Sequence, residues 1–255
     1  MRFDVVTLFP ELFAPFLTSG ITRRAYESAL VDVQLTNPRD FAAGNYRRVD
    51  DRPFGGGPGM VMMAEPLAQS LAHIRSQRAE KAPVVLFSPI GKVMDHRMVS
   101  AFSSGPGAIL LCGRYEGLDQ RFIDAHVDLQ ISLGDFVLSG GEIAAMALLD
   151  GVARLQPGVL SDPESHHQDS FNPGLDGLLD CPHYTRPEDW VGVAVPEVLL
   201  SGHHLNIARW RREQSLALTA RHRPELLEQA RLAGLLTKQD ERYLDGLGKV
   251  AIIVG

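Results

Sequence analysis

At 255 residues and 45% hydrophobic content, the chain can bury a sizeable core as one large domain or as one domain with an appendage. No apolar run approaches the roughly 20 residues that span a bilayer, and two cysteines without paired spacing, Cys112 and Cys181, argue against a disulfide scaffold or a zinc knuckle and fit a reducing cytoplasm. The formal net charge of −6 means that any contact with nucleic acid must rest on local basic stripes.

The first strand is predicted over residues 3–8. The opening Met1-Arg2-Phe3-Asp4-Val5-Val6-Thr7-Leu8 reads as that strand rather than as a secretory signal, which needs a basic start, a longer apolar run and a small-residue cleavage site. Helices follow over 10–17 and 21–30, then a strand over 31–36 and a helix over 65–77. Strands over 84–88, 108–112 and 127–131 alternate with helices over 96–102 and 142–155. Val84-Val85-Leu86-Phe87 and Ala108-Ile109-Leu110-Leu111 are continuously apolar, as strands covered on both faces should be. The alternation implies an α/β domain with a mostly parallel sheet, over residues 1–157.

Residues 158–174 are rich in Pro, Gly, Ser, Asp and His and read as a linker. A small, mainly helical domain is expected over 175–255, with helices over 203–220, 224–232 and 238–247. Pro224 suits a first helical turn. Between Ser201 and Arg223 stand five arginines (209, 211, 212, 221 and 223) and one acid, Glu213, which makes this the strongest basic stripe.

Three glycine-bearing loops follow three of the strands. They are Ser88-Pro89-Ile90-Gly91, Gly113-Arg114-Tyr115-Glu116-Gly117 and the run from Ser132 to Glu142. In an open parallel sheet, ligands bind outside the carboxyl ends of the strands, and glycines let backbone approach a ligand closely. The same glycines could simply make tight turns. Gly55-Gly56-Gly57-Pro58-Gly59 has neither the Lys-Ser/Thr of a P-loop nor the spacing of a dinucleotide fingerprint, and reads equally as a substrate-facing loop or a turn. The pairs His166-His167 and His203-His204 lack the i, i+4 spacing of a helical zinc site, so no residue is assigned to a metal. Cys112 ends an apolar strand and is expected to be buried and inert; Cys181 has no evident base beside it.

Several long motifs, in order, resemble those of the bacterial tRNA (guanine-N1)-methyltransferases. They are Leu111-Cys112-Gly113-Arg114-Tyr115-Glu116-Gly117-Leu118-Asp119-Gln120-Arg121, the run Ser132-Leu133-Gly134-Asp135-Phe136-Val137-Leu138-Ser139-Gly140-Gly141-Glu142, and Leu178-Leu179-Asp180-Cys181-Pro182-His183-Tyr184-Thr185-Arg186-Pro187. Shorter matches are Arg154-Leu155-Gln156-Pro157-Gly158, Asp169-Ser170-Phe171 and Arg209-Trp210-Arg211, and the resemblance spans residues 1–218. It implies a SPOUT-type α/β domain with a deep trefoil knot around the three loops. It also implies a homodimer and methylation, from S-adenosylmethionine, of N1 of the tRNA guanosine at position 37, which maintains the reading frame.

Carried over by motif, the donor contacts are Ser88, Pro89 and Gly91, then Gly113, Tyr115 and Glu116, then Ser132, Leu133, Gly134, Asp135, Phe136, Val137, Leu138, Gly140 and Gly141. Asp169 matches the general base and Arg154 the catalytic arginine. Arg209, Arg211, Arg212 and Asp180 are the expected RNA contacts. A dependence on Mg²⁺ is implied without a site. The chemistry suits these residue types: guanine N1 is a poor nucleophile until a carboxylate removes its proton, and an arginine fork can stabilise the charge that spreads to O6. Without the motif, Asp169 would read as a solvated turn residue and Arg154 as a partner of a helix C-terminus. Two departures stand out. Ile90 replaces a residue commonly polar in the family, and residues 172–177 lengthen the interval before Leu178.

Two other readings compete. One is another methyltransferase of the same fold, acting on a ribose 2′-OH or on a different tRNA base; a 2′-O enzyme would not need Asp169 to deprotonate a base nitrogen. A catalytically silent RNA-binding module would not need intact donor loops.

Overall fold

The computed structural model describes residues 1–160 and 168–253, with side chains through 247. The His166-His167 pair and part of the expected linker lie outside the described residues. The chain forms two compact units, Met1–Ser161 and Asp162–Gly255.

The first unit opens with β1 (Arg2–Val6), a 3₁₀ turn (Pro10–Leu12), α1 (Phe13–Thr18) and α2 (Arg23–Glu27). Next come β2 (Asp32–Thr36), a second 3₁₀ turn (Pro38–Phe41), β3 (Asp50–Asp51), β4 (Val61–Met62) and α3 (Ala64–Gln77). It is completed by β5 (Val84–Val93), α4 (His96–Ser103), β6 (Ile109–Leu111), α5 (Gln120–His126), β7 (Leu129–Ser132) and α6 (Glu142–Arg154). The main sheet has the order β2-β1-β6-β5-β7, and every pairing in it is parallel. The expected α/β class is therefore observed.

The apolar strands are continuous because both faces are covered. Val85, Phe87, Leu110 and Cys112 face a core with Phe13, Ala25, Leu148 and Val152 of α1, α2 and α6. Their neighbours Val84, Leu86, Ile109 and Leu111 face the other core, with Leu67, Leu71 and Ile74 of α3 and Phe122 of α5. The period of two in a strand sends successive side chains to opposite layers.

Three expectations need correcting. The helix predicted over 10–17 begins instead as a 3₁₀ turn over Pro10–Leu12, and the α-helix starts only at Phe13. Helix α5 was not predicted; its N-cap Asp119 accepts from the Arg121 N–H at 3.0 Å. Residues 88–91 do not simply follow a strand. They form an excursion within β5, so that Phe87 and Lys92 both pair with Ile131 of β7. A Cβ on Gly91 would lie 2.5 Å from the Gln130 carbonyl carbon, so this turn back onto β7 requires glycine.

The second unit contains a 3₁₀ turn (Pro173–Leu175) and a hairpin of β8 (Asp189–Trp190) and β9 (Val193–Ala194). Four helices follow: α7 (Glu197–Leu200), α8 (His204–His222), α9 (Pro224–Leu232) and α10 (Lys238–Ile253). Its core is small, with Leu178, Leu216, Leu227 and Ala230 buried together. Ionic contacts supplement it. Arg212 on α8 pairs with Asp176 at 2.8 Å and with Asp240 at 3.0 Å. Asp240 and Thr237 cap α10 reciprocally, each side chain accepting from the other's backbone N–H.

Candidate active site

The excursion within β5 and the carboxyl ends of β6 and β7 open onto one cavity of about 400 Å³. Of the expected donor contacts, Ser88, Pro89, Gly113, Tyr115, Glu116, Ser132, Leu133, Phe136, Val137, Leu138, Gly140 and Gly141 line it. Gly91, Gly134 and Asp135 do not; Gly91 is packed on β7 instead. The volume falls within the range of about 300–1,000 Å³ typical of small-molecule sites.

The second and third loops are locked to each other by backbone that only glycine permits. The Gly141 N–H donates to the Gly113 carbonyl at 3.0 Å, and a Cβ on Gly141 would stand 2.8 Å from the Cys112 Cα. A Cβ on Gly140 would stand 2.2 Å from the Arg114 Nε. These glycines therefore serve loop-to-loop packing, whatever they also do for a ligand.

Arg114 and Glu142 were not singled out from the sequence, yet they organise this rim. Glu142 is 1% exposed at the start of α6. Its Oε1 accepts from the Thr7 hydroxyl at 2.8 Å and from the Arg114 Nε at 3.1 Å. Its Oε2 lies 3.0 Å from the guanidinium as an ion pair, without hydrogen-bond alignment. Arg114 also donates to the Ser139 carbonyl and sits 4.5 Å over the Phe9 ring. One guanidinium thus bridges the second loop, the third loop and the end of β1. The signal available in sequence was an Arg in one glycine loop and a Glu closing another.

Gly55-Gly56-Gly57-Pro58-Gly59 connects β3 to β4 and leans on the second loop. The Glu116 N–H donates to the Met60 carbonyl at 2.9 Å, and a Cβ on Gly59 would meet the Glu116 carboxylate at 2.4 Å. Tyr115 adopts φ 58°, and burial together with the Asp50 charge raises its phenol above the ordinary range. Burial pushes the Cys112 thiol up strongly, which keeps it protonated and inert.

Arg154 is not at this cavity. It ends α6, whose first turn lines the cavity, and the 13-residue helix separates the two by about 18 Å along its axis. Arg154 instead lines a hollow with Phe16, Ser19, Gly20, Ile21, Thr22 and Asp150.

In the second unit, Asp169 begins a turn in which the Asn172 N–H donates to its carbonyl at 3.2 Å. Arg209 is exposed and pairs with Glu213 at 2.8 Å, one helical turn on; Arg211 is also exposed. Arg212, the third expected RNA contact on α8, is half-buried. It is engaged by Asp176 and Asp240, so its charge is already neutralised inside the helical unit. One of those partners, Asp176, lies in the stretch 172–177 and adopts the left-handed region at φ 58°.

Among the described residues, Asp180, Cys181 and His183 bring metal-ligand types together, with ligand atoms within 4.8 Å of one another. The Asp180 carboxylate is already taken by the Cys181 N–H and by His183 at 2.9 Å. Burial, then the Asp180 charge, holds the Cys181 thiol above its ordinary range, against both thiolate ligation and nucleophilic attack. Nor is this the all-oxygen set that Mg²⁺ prefers. His203 and His204 are exposed at the start of α8.

Residues 1–229 match the family model for the tRNA (Guanine-1)-methyltransferase TrmD. The chain is 78% identical to a tRNA (guanine-N(1)-)-methyltransferase of Albidiferax ferrireducens, across 96% of this chain and 98% of the relative. It is 71% identical to that of Paracidovorax citrulli across 96% and 97% of the two chains, and 58% identical to that of Bordetella pertussis across 97% and 98%. With loops, sheet and cavity in place and the match nearly end to end, the chain belongs to the tRNA (guanine-1)-methyltransferase TrmD family.

Proposed function

We infer that this chain methylates N1 of the guanosine at tRNA position 37, with S-adenosylmethionine as donor, in the cytoplasm. The observation that carries this reading is the one cavity shared by all three glycine loops, which lie along adjacent parallel strands. Its size, its glycine-lined walls and its mixed polar and apolar lining fit the donor. Bound there, S-adenosylmethionine supplies an already activated methyl group. The residues of the chain orient the acceptor and move its proton. Asp169 accepts the N1 proton, and Arg154 stabilises the charge that develops towards O6. The loops are proposed to carry the family's trefoil knot. Residues 1–157 hold the donor, 158–174 link, and 175–255 hold RNA through Arg209, Arg211 and Asp180, with Arg212, the fourth expected contact, held between Asp176 and Asp240.

The working form is proposed to be a homodimer. Arg154 and the donor cavity lie at opposite ends of α6 in one chain, so a second copy must bring the arginine to the donor. A heterodimer of an Asp169→Ala chain and a Gly141→Trp chain should regain activity; a fully active monomer in sedimentation at nanomolar concentration would overturn the composite site. The primary test is mass-spectrometric mapping of a tRNA transcript after incubation with enzyme and donor. Methyl on N1 of guanosine 37 is expected. Methyl on a ribose 2′-oxygen, or none together with no donor binding by calorimetry, would favour the competing readings. Activity measured with and without Mg²⁺ and a chelator addresses the metal.

A further inference from the structure

We propose that Ser215 and Thr219, two buried hydroxyls of α8, are positioning residues for the proton transfer. They clamp the segment on which Asp169 is laid, and so tie the general base to the helix that carries Arg209 and Arg211. This inference rests on the assignment of Asp169 as the base.

Residues 169–171 run beside residues 178–180. The Phe171 N–H donates to the Leu178 carbonyl at 2.9 Å, and the Asp180 N–H donates to the Ser170 hydroxyl at 2.9 Å. Leu179, in the middle of the second segment, turns both of its peptide groups to α8. Its N–H donates to the Thr219 Oγ1 at 3.0 Å, and its carbonyl accepts from the Ser215 hydroxyl. The Thr219 hydroxyl in turn donates to the Ser215 carbonyl at 2.7 Å. Thr219 and Ser215 are 0% and 1% exposed.

A helical Ser or Thr ordinarily does no more than bond back to its own helix. A hydroxyl has one donor and two acceptor sites, and here that capacity is used across elements. Thr219 satisfies its own helix and accepts from Leu179, while Ser215 gives its proton to Leu179. Packing of Leu178 against Leu216 would hold the segment near α8 without directing it. The two hydroxyls set its register and rotation, which apolar contact leaves loose. Arg211 lies one helical turn before Ser215, so a shift of α8 on binding phosphate is passed to the Asp169 segment through these bonds. Catalytic groups tolerate little misplacement, and an error of about 1 Å can cost on the order of 10²-fold in rate.

The test uses the full chain with a tRNA transcript and donor. Thr219→Val removes the hydroxyl at nearly constant shape, and Thr219→Ser restores it. Each variant is made in the wild-type and Asp169→Asn backgrounds, and thermal melting checks folding. In the wild-type background Thr219→Val should lower the single-turnover rate at saturating substrates by about 10-fold, as misplaced catalytic groups do, with the dissociation constants of donor and tRNA nearly unchanged. Thr219→Ser should recover most of that rate. In the Asp169→Asn background, Thr219→Val should cost little more, because the group it positions is already disabled. An equal loss in both backgrounds, or a wild-type rate for folded Thr219→Val, would overturn the proposal. If Thr219→Val does not fold, Ser215→Ala carries the same expectations, since it removes one bond of the clamp. Near-normal activity of Asp169→Asn alone would locate the failure in the base assignment instead.

Discussion

Arg114 and Arg212 invite comparison across the two units. Arg114 lies in a motif and Arg212 directly follows one, and each is neutralised by a nearly buried carboxylate: Glu142 at 1% exposure for one, Asp240 at 5% for the other. They differ in what the pair joins. Arg114 spans two glycine loops at the rim of the cavity, so its pairing shapes a ligand site. Arg212 joins α8 to the turn at Asp176 and to the cap of α10, so its pairing supplements a core of few apolar side chains. An arginine in or beside a motif thus serves as a brace or a pin according to its neighbours. Arg209, Arg211 and Arg221, on the same helix as Arg212, remain exposed.

The largest expected effect breaks the first pair. Glu142→Ala strips the partly buried Arg114 guanidinium of its buried counterion and leaves the Thr7 hydroxyl without its acceptor; it should destabilise the first unit by about 2–3 kcal/mol, below the range for breaking a fully buried ion pair because solvent reaches the arginine. Denaturant melts read this, and calorimetry should show donor affinity falling with it. A variant as stable as the parent would mean that the pair is not the brace described here.

Asp169→Asn should lower single-turnover methylation by at least about 10²-fold, within the range for removing a general base. Binding of donor and tRNA should change little, because the loss belongs to the transition state. A near-wild-type rate with methyl still on N1 would assign the proton transfer elsewhere.

The two uses of arginine on α8 separate in salt titrations. Arg209→Glu or Arg211→Glu should weaken tRNA binding and flatten its salt dependence by about one unit of slope per lost phosphate contact. Arg212→Met should lower the melting temperature of the helical unit and leave that slope unchanged. The reverse pattern would make Arg212 the RNA contact and dissolve the contrast with Arg114.

The smallest effect is in pH. Burial alone would raise the Asp240 carboxyl, but bonds from Arg212 and Thr237 outweigh it and hold it below its ordinary range. A folded-state value below the unfolded one stabilises the protein above the ordinary carboxylate range. That contribution is lost as pH falls through the depressed value. Melting of the helical unit should therefore decline on acidification below about pH 4, the ordinary carboxylate value. Asp240→Asn should remove that part of the decline; an unchanged acid limb would show that other carboxylates dominate.

The sequence by itself determined the strand order along the chain, the layered α/β class and the family. Apolar runs such as Val84-Val85-Leu86-Phe87 report burial on both faces, and long motifs survive without knowledge of contacts. It also placed the three loops, since glycine runs mark tight backbone wherever they fall. Helix α5 escaped because it is only seven residues long, too short for a clear helical period, and its first two residues close a motif. The excursion at residues 88–91 escaped because only the pairing of Phe87 and Lys92 with one residue, Ile131, reveals it.

Tertiary structure alone decided what pairs with what. Thr7, Arg114 and Glu142 are far apart in sequence, and nothing local says that one carboxylate will serve both the others. Nor could spacing show that Arg154 stands a full helix length from the cavity, or that Arg212 turns inward while Arg211 stays exposed. Periodicity and composition record which groups leave water. The partner that each buried charge or hydroxyl finds depends on long-range packing, which no window of sequence contains.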